Sequence, residues 1–277
     1  MNPPIHPTPA PVTPPTPAPA SEAPPELRVA QHGPVLWLTI DREARRNAMS
    51  HGVLAGMVQA IATAQTDRAV RAIVITGAGH KAFCAGADLQ SAHAFTTDYS
   101  EPNGHLAQLL RVARASHVPL IARVNGACMA GGMGLLAMCD LAVAARHAVF
   151  GLPEVKVGVF PAQVLSVLQH LIPRRQLAEM CLTGEPITSA QALEYGLVNY
   201  VDDDVDAKLQ WLLDRLLDKS PAAIRRGLYT MKKIEAMPFE ESMSFTESQI
   251  ALFTLTDDAR EGQKAFQEKR KPAWKGS

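Results

Sequence analysis

The chain has 277 residues, enough for one large domain or two small ones, and its apolar content of 47% can fill a sizeable core. Lys+Arg and Asp+Glu both number 27, so there is no basic excess of the kind that nucleic acid or an anionic membrane surface requires. No apolar run approaches the roughly 20 residues of a membrane span. The four cysteines, Cys84, Cys128, Cys139 and Cys181, have no CxxC spacing and no histidine cluster beside them, so reduced thiols in a cytoplasmic protein, without a metal site, are expected.

Residues 1–26 form a zone of their own, dense in proline from Pro3 to Pro25. Proline at this density removes backbone donors and fixes φ, so a disordered tail with polyproline II character is expected. The zone has no Lys or Arg and no continuous apolar core, so it does not read as a secretory or transit signal. Order is expected from Leu27. Val35–Ile40 reads as a strand, 55–66 as a helix, 71–76 as a strand and 105–115 as a helix. A strand over 118–124 ends at Asn125-Gly126, and a helix over 132–138 and a strand over 141–145 follow. Strands alternating with helices predict an α/β fold with a largely parallel sheet. Beyond Pro161 the pattern becomes helical: 162–171, 175–182, 189–195, 206–218, 221–234 and 239–253. Ser220-Pro221 is a helix start, with serine as N-cap and proline in the first turn. The division predicted is an α/β core over 27–205 and a helical region over 206–277.

Two glycine-rich turns stand out. One is Lys81-Ala82-Phe83-Cys84-Ala85-Gly86-Ala87-Asp88-Leu89, and the other runs from Asn125 to Gly134 between a strand and a helix. Small residues let a ligand approach the backbone, and a helix start presents unpaired N–H groups. Together the turns can aim two donors at one oxygen, as an oxyanion hole does. The second turn lacks GxGxxG, and no GK[ST] occurs in the chain, so a nucleotide site is disfavoured. The glycine pattern alone equally allows two tight turns packed against helices.

The order of segments resembles the crotonase (enoyl-CoA hydratase/isomerase) family from about residue 30 to residue 275. The resemblance is carried by Asn47-Ala48-Met49, by Ala85-Gly86-Ala87-Asp88 and by the stretch from Val124 to Asp140. Phe150-Gly151-Leu152-Pro153-Glu154, Leu182-Thr183-Gly184 with Gly196-Leu197-Val198-Asn199, and the basic end from Phe266 to Gly276 complete it. It implies a crotonase-like spiral of β-sheets surrounded by helices, with a C-terminal helical trimerisation region. It also implies an acyl-CoA thioester substrate, with CoA entering as part of that substrate and no separate cofactor. The N–H groups of Ala85 and Gly131 would hold the thioester oxygen, and Gly86, Ala87, Asp88 and Leu89 would line the CoA site, with Asp88 as a brace for its loop. Arg45, Arg46, Lys269 and Lys271 are candidates for the CoA phosphates; solvated surface charge is their other reading. Glu154, in an apolar stretch, is the implied acid/base. A homotrimer or hexamer is expected, with no nucleic-acid or membrane partner.

Two positions depart from the family pattern. Typical hydratases carry a first glutamate where this chain has Gly134. That leaves Glu154 alone, and the lost bulk is expected to open room for a larger, branched or carboxylated acyl chain. The loop Val159-Phe160-Pro161-Ala162-Gln163-Val164 replaces a glycine-rich one, and Phe160 and Gln163 are read either as pocket residues or, for Phe160, as ordinary core. Enoyl-CoA hydration is the leading expectation because it is the commonest activity of the family. Single-glutamate isomerisation, thioester hydrolysis or decarboxylation, and a weakly catalytic acyl-CoA-binding protein are the alternatives. A serine nucleophile is disfavoured, since residues 125–140 contain no serine.

Overall fold

The computed structural model describes residues 25–88 and 104–277. The greater part of the proline-rich zone, 1–24, lies outside the described residues, as does Leu89. Strand β1 (Leu27–His32) pairs antiparallel with β2 (Val35–Ile40), and α1 (His51–Thr66) leads to β3 (Ala72–Gly77) and β4 (Ala82–Cys84). Then come α2 (His105–Ala115), β5 (Leu120–Val124), β6 (Ala127–Met129), α3 (Gly131–Ala137), β7 (Leu141–Ala145) and β8 (Val149–Gly151). A 3-10 turn, Pro153–Val157, precedes α4 (Ala162–Leu168), α5 (Arg174–Thr183), β9 (Ile187–Thr188), α6 (Ser189–Glu194) and β10 (Tyr200–Asp202). The chain ends in α7 (Val205–Leu217), α8 (Pro221–Ile234), α9 (Phe239–Thr254) and α10 (Asp257–Gln267).

The strands form two sheets, one ordered β1-β2-β3-β5-β7-β10 and a smaller one ordered β4-β6-β8-β9. Beyond the β1–β2 hairpin the large sheet is parallel, and β4, β6 and β8 are parallel in the small one. Each long strand β3, β5 and β7 is followed by a short strand in the other sheet, so the backbone climbs as a spiral with helices outside. This is the α/β spiral of β-sheets surrounded by helices that the resemblance implied.

All six residues of β3 are buried, as a strand covered on both faces must be. Its side chains alternate between two cores. Ile73 and Ile75 pack with Met57 and Ile61 of α1, while Ala72 and Val74 pack with Val35, Ile121 and Val143. The second core is closed by Leu209, Leu212 and Leu213 of α7. Thus α7, placed by the sequence reading in the C-terminal helical region, seals the outer face of the large sheet. The helices that stand off the core begin with α8. Among the described residues no helix is long and apolar enough to cross a membrane.

Candidate active site

The three parallel strands of the small sheet end side by side. β4 ends at Cys84 with Ala87 three residues beyond, β6 ends at Met129 with Gly131 two beyond, and β8 ends at Gly151 with Glu154 three beyond. In α/β sheets the carboxyl ends of parallel strands are where ligands gather. Met129 and Gly151 are register partners, and Ala130 N–H donates to Gly151 O at 2.9 Å. These bonds tie the turn that carries Gly131 to the one that carries Glu154.

The first two turns touch. A Cβ on Gly86 would stand 2.8 Å from Ala130 Cβ and 3.1 Å from Gly131 N, and Gly86 has φ of 95°, so glycine is required there on both counts. A Cβ on Gly131 would meet Met49 Cε at 2.7 Å and Ala87 N at 3.8 Å, which places the two turns' amides together. Ala130 turns the chain from β6 into α3 with φ of 53° and ψ of −125°. For a non-glycine residue that conformation costs of order 1–3 kcal/mol and persists only where its surroundings enforce it.

The hydrogen bonds decide which amides are available. Ala85 N–H donates to Arg46 O at 3.1 Å, Gly86 N–H to Cys84 Sγ at 3.5 Å, and Asp88 N–H to Met49 O at 3.1 Å. Ala87 N–H donates to no described residue, and neither does Gly131 N–H, which opens α3 where a helix has no internal acceptor. The Ala85 N–H, expected to be a donor to the thioester, is thus directed at Arg46 O. The open pair is Ala87 and Gly131.

Both turns are held from below by buried asparagines. Asn47 is fully buried at φ of 56°; its Nδ2 donates to Ala78 O at 3.0 Å and Ala82 O at 2.7 Å, and its Oδ1 accepts from Arg42 N–H at 3.1 Å. Asn125 Oδ1 accepts from Gly77 N–H at 3.1 Å, and its Nδ2 donates to Ala82 O at 3.1 Å. Arg42 pairs at 2.7 Å with both Glu26 and Asp88. Asp88 thus braces its loop. Asn47 and Arg42 are positioning residues whose partners lie too far along the chain for the sequence to show.

Glu154 sits in the first turn of the 3-10 segment, after Pro153. Its Oε2 is buried and has no hydrogen-bond partner among the described residues. Burial raises the carboxyl above the usual glutamate range, against a smaller opposing effect from its own backbone N–H. Nearby thiols offer no alternative nucleophile: burial pushes Cys84 up to about 12 and also raises Cys128 and Cys181.

A cavity of about 560 Å³ opens beside the first turn, lined by Ala44, Arg45, Arg46, Ala48, Ala85, Ala87 and Asp88. It brings the two arginines to the same space as the open Ala87 amide. Lys269 and Lys271 are not in its lining; the tail is pinned elsewhere, where Lys275 and Gly276 N–H donate to Asp258 Oδ1 at 2.7 and 3.0 Å. Phe160 is 48% exposed, so it is not a core aromatic, and Gln163 is exposed as well. The room expected at Gly134 is already taken: a Cβ there would stand 2.8 Å from Val164 Cγ1 and 3.9 Å from Leu110 Cδ2.

Residues 30–277 match the model of the enoyl-CoA hydratase/isomerase family. The chain is 36% identical to enoyl-CoA hydratase EchA19 of Mycobacterium tuberculosis, over 91% of this chain and 97% of that one. It is 34% identical to the 2,3-dehydroadipyl-CoA hydratase of Escherichia coli, over 91% and 99%. Among solved structures it resembles an enoyl-CoA hydratase of Mycobacterium smegmatis, with a TM-score of 0.85, 32% identity and coverage of 90% and 99%. The spiral, the paired turns and these matches agree, and the chain belongs to the enoyl-CoA hydratase/isomerase family.

Proposed function

We propose that the protein is an enoyl-CoA hydratase that works with a single carboxylate, Glu154, and an oxyanion hole formed by the amides of Ala87 and Gly131. The observation that carries this reading is the partnerless buried Oε2 of Glu154, after the strand that pairs with β6, whose turn carries the open Gly131 amide. The relatives named above as hydratases support water addition as the reaction.

In this mechanism the thioester oxygen lies between Ala87 N–H and Gly131 N–H, and Arg45 and Arg46 face the CoA phosphates. The ionised Glu154 takes a proton from water as the water oxygen bonds to C3. The C2–C3 double bond shifts its electrons toward the thioester, and negative charge gathers on the oxygen held by the two amides. The protonated Glu154 then gives its proton to C2, and the carboxylate is regenerated. Water and proton arrive from one side, so the addition is syn. A raised carboxyl pKa suits both transfers, because the group is a stronger base when ionised and remains a competent acid once protonated. Each amide strengthens its hydrogen bond as charge develops, and loss of one such donor typically costs about 2.7–4 kcal/mol.

Gly134 supports a second reading, in which Glu154 alone carries a proton between C2 and C4 of a 3-enoyl thioester. Incubation with 2-enoyl- and 3-enoyl-CoA in heavy water, followed by mass spectrometry, separates the two. A product heavier by one water supports hydration. An unhydrated product with deuterium at C2 or C4 replaces it with isomerisation. No change in any thioester removes both.

A second copy of the chain is the expected partner. Met231, Ile250, Leu255 and Phe266 of the C-terminal helices are each at least 65% exposed, as residues destined for a subunit contact are.

A further inference from the structure

We propose that Val164 is a specificity-determining residue of the acyl site, closing it with a hydrocarbon wall and selecting short apolar acyl chains. This role rests on the acyl-CoA reading above. Gly134 lies three residues beyond Gly131 in α3, on the same helix face and about 4.5 Å further along the axis. Directly over Gly134 stands Val164 Cγ1, at 2.8 Å from where a Cβ would lie, with Val164 Cβ at 3.6 Å and Leu110 Cδ2 at 3.9 Å. Val164 is 3% exposed and Leu110 8%. The missing side chain on α3 is thus made good by a branched one on α4, and the volume beside the oxyanion donor is filled.

Two consequences follow for substrates. A chain whose carbonyl oxygen rests on Gly131 N–H passes one helical turn from Val164, so its first few carbons meet methyl groups there. The contact also offers no polar or charged partner, so a carboxylate or hydroxyl on that part of the chain would lose its water without compensation. Size at this point is set by residue 164 rather than by Gly134, because nothing larger than glycine enters position 134 unless Val164 withdraws.

The test uses the unreactive ligands butyryl-CoA and octanoyl-CoA, with affinities measured by titration calorimetry on the full chain. Val164→Ala is expected to raise the preference for octanoyl-CoA over butyryl-CoA about tenfold relative to the unsubstituted protein, the scale on which a small change in an apolar pocket discriminates. An unchanged preference in Val164→Ala, with both ligands still bound, overturns the role of Val164 and leaves the acyl-CoA reading intact. Failure of both ligands to bind the unsubstituted protein overturns the acyl-CoA reading and this role with it. Thermal melting supplies a readout independent of ligands: Gly134→Ala is expected to lower Tm, and Val164→Ala in the same chain to recover part of the loss. Strictly additive shifts would show that the two side chains do not compete for one space, and would overturn the proposal.

Discussion

Asn47 and Asn125, from two different turns, donate to one carbonyl: Ala82 O accepts their Nδ2 groups at 2.7 and 3.1 Å. Ala82 opens β4, the strand that delivers Ala87 to the site. The two asparagines therefore fix the height of the Ala87 amide against the turn that carries Gly131. Asn47→Ala strands a buried group at Ala78 O and a half-buried one at Arg42 N–H and is expected to cost about 2–3 kcal/mol. Urea unfolding measures this, and a loss below about 0.5 kcal/mol would deny Asn47 its bracing role.

The assignment of Ala87 over Ala85 is testable by removing one N–H at a time. Replacing Ala87 with its lactic-acid ester analogue, which deletes only the N–H, is expected to lower kcat about 10²–10³-fold. The same replacement at Ala85 breaks the bond to Arg46 O and should reduce stability by about 1 kcal/mol with kcat largely retained. The reverse pattern would restore Ala85 as the donor.

Gly86 is the contact between the two turns. Gly86→Ala meets both a φ of 95° and the Cβ of Ala130 at 2.8 Å. The expected result is a lower Tm together with loss of turnover, because the strain falls on the segment that sets both amides. Unchanged melting would mean that the turns are not packed as described.

Glu154 links activity and stability to pH. Its folded carboxyl is raised above the ordinary 4.5 by burial, so the ionised form is the costly one in the folded state. Stability attributable to this group is complete below about pH 4.5 and is lost as pH rises through the raised value. Glu154→Gln should therefore melt close to the unsubstituted protein in acid and above it at neutral pH. The acid limb of kcat/KM should lie above the ordinary glutamate range, since the base must be ionised to accept the proton from water. A melting difference independent of pH would place Glu154 in a solvated setting.

Much of this molecule is legible in its sequence. The bounds of β2, α2, β7 and α8 match the sequence reading, because each is long enough to show its periodicity or begins with a clear signal. Ser220 Oγ accepts from Ala223 N–H at 3.0 Å, as its place before Pro221 predicts. The short strands β4, β6, β8 and β9 were not legible, since two or three residues carry no period, yet three of them position the site. Helix α10 was missed although Thr256, followed by Asp257 and Asp258, is an N-terminal signature; Thr256 Oγ1 accepts from Ala259 N–H at 3.1 Å. The motif pointed to two turns that the fold brings into contact, but which amide stays open depends on Arg46 O, a carbonyl 39 positions away from Ala85 in the chain. Gly134 read as a space because sequence shows a missing side chain and not the Val164 that fills its place.

The central claim, that one carboxylate carries the proton, is tested most directly by comparing Glu154→Gln with the unsubstituted protein on crotonyl-CoA, with butyryl-CoA affinity measured alongside. The account predicts a loss of kcat of about 10²–10⁴-fold with butyryl-CoA affinity retained within about threefold. Turnover of Glu154→Gln within a few-fold of the original would contradict it and remove Glu154 from the chemistry.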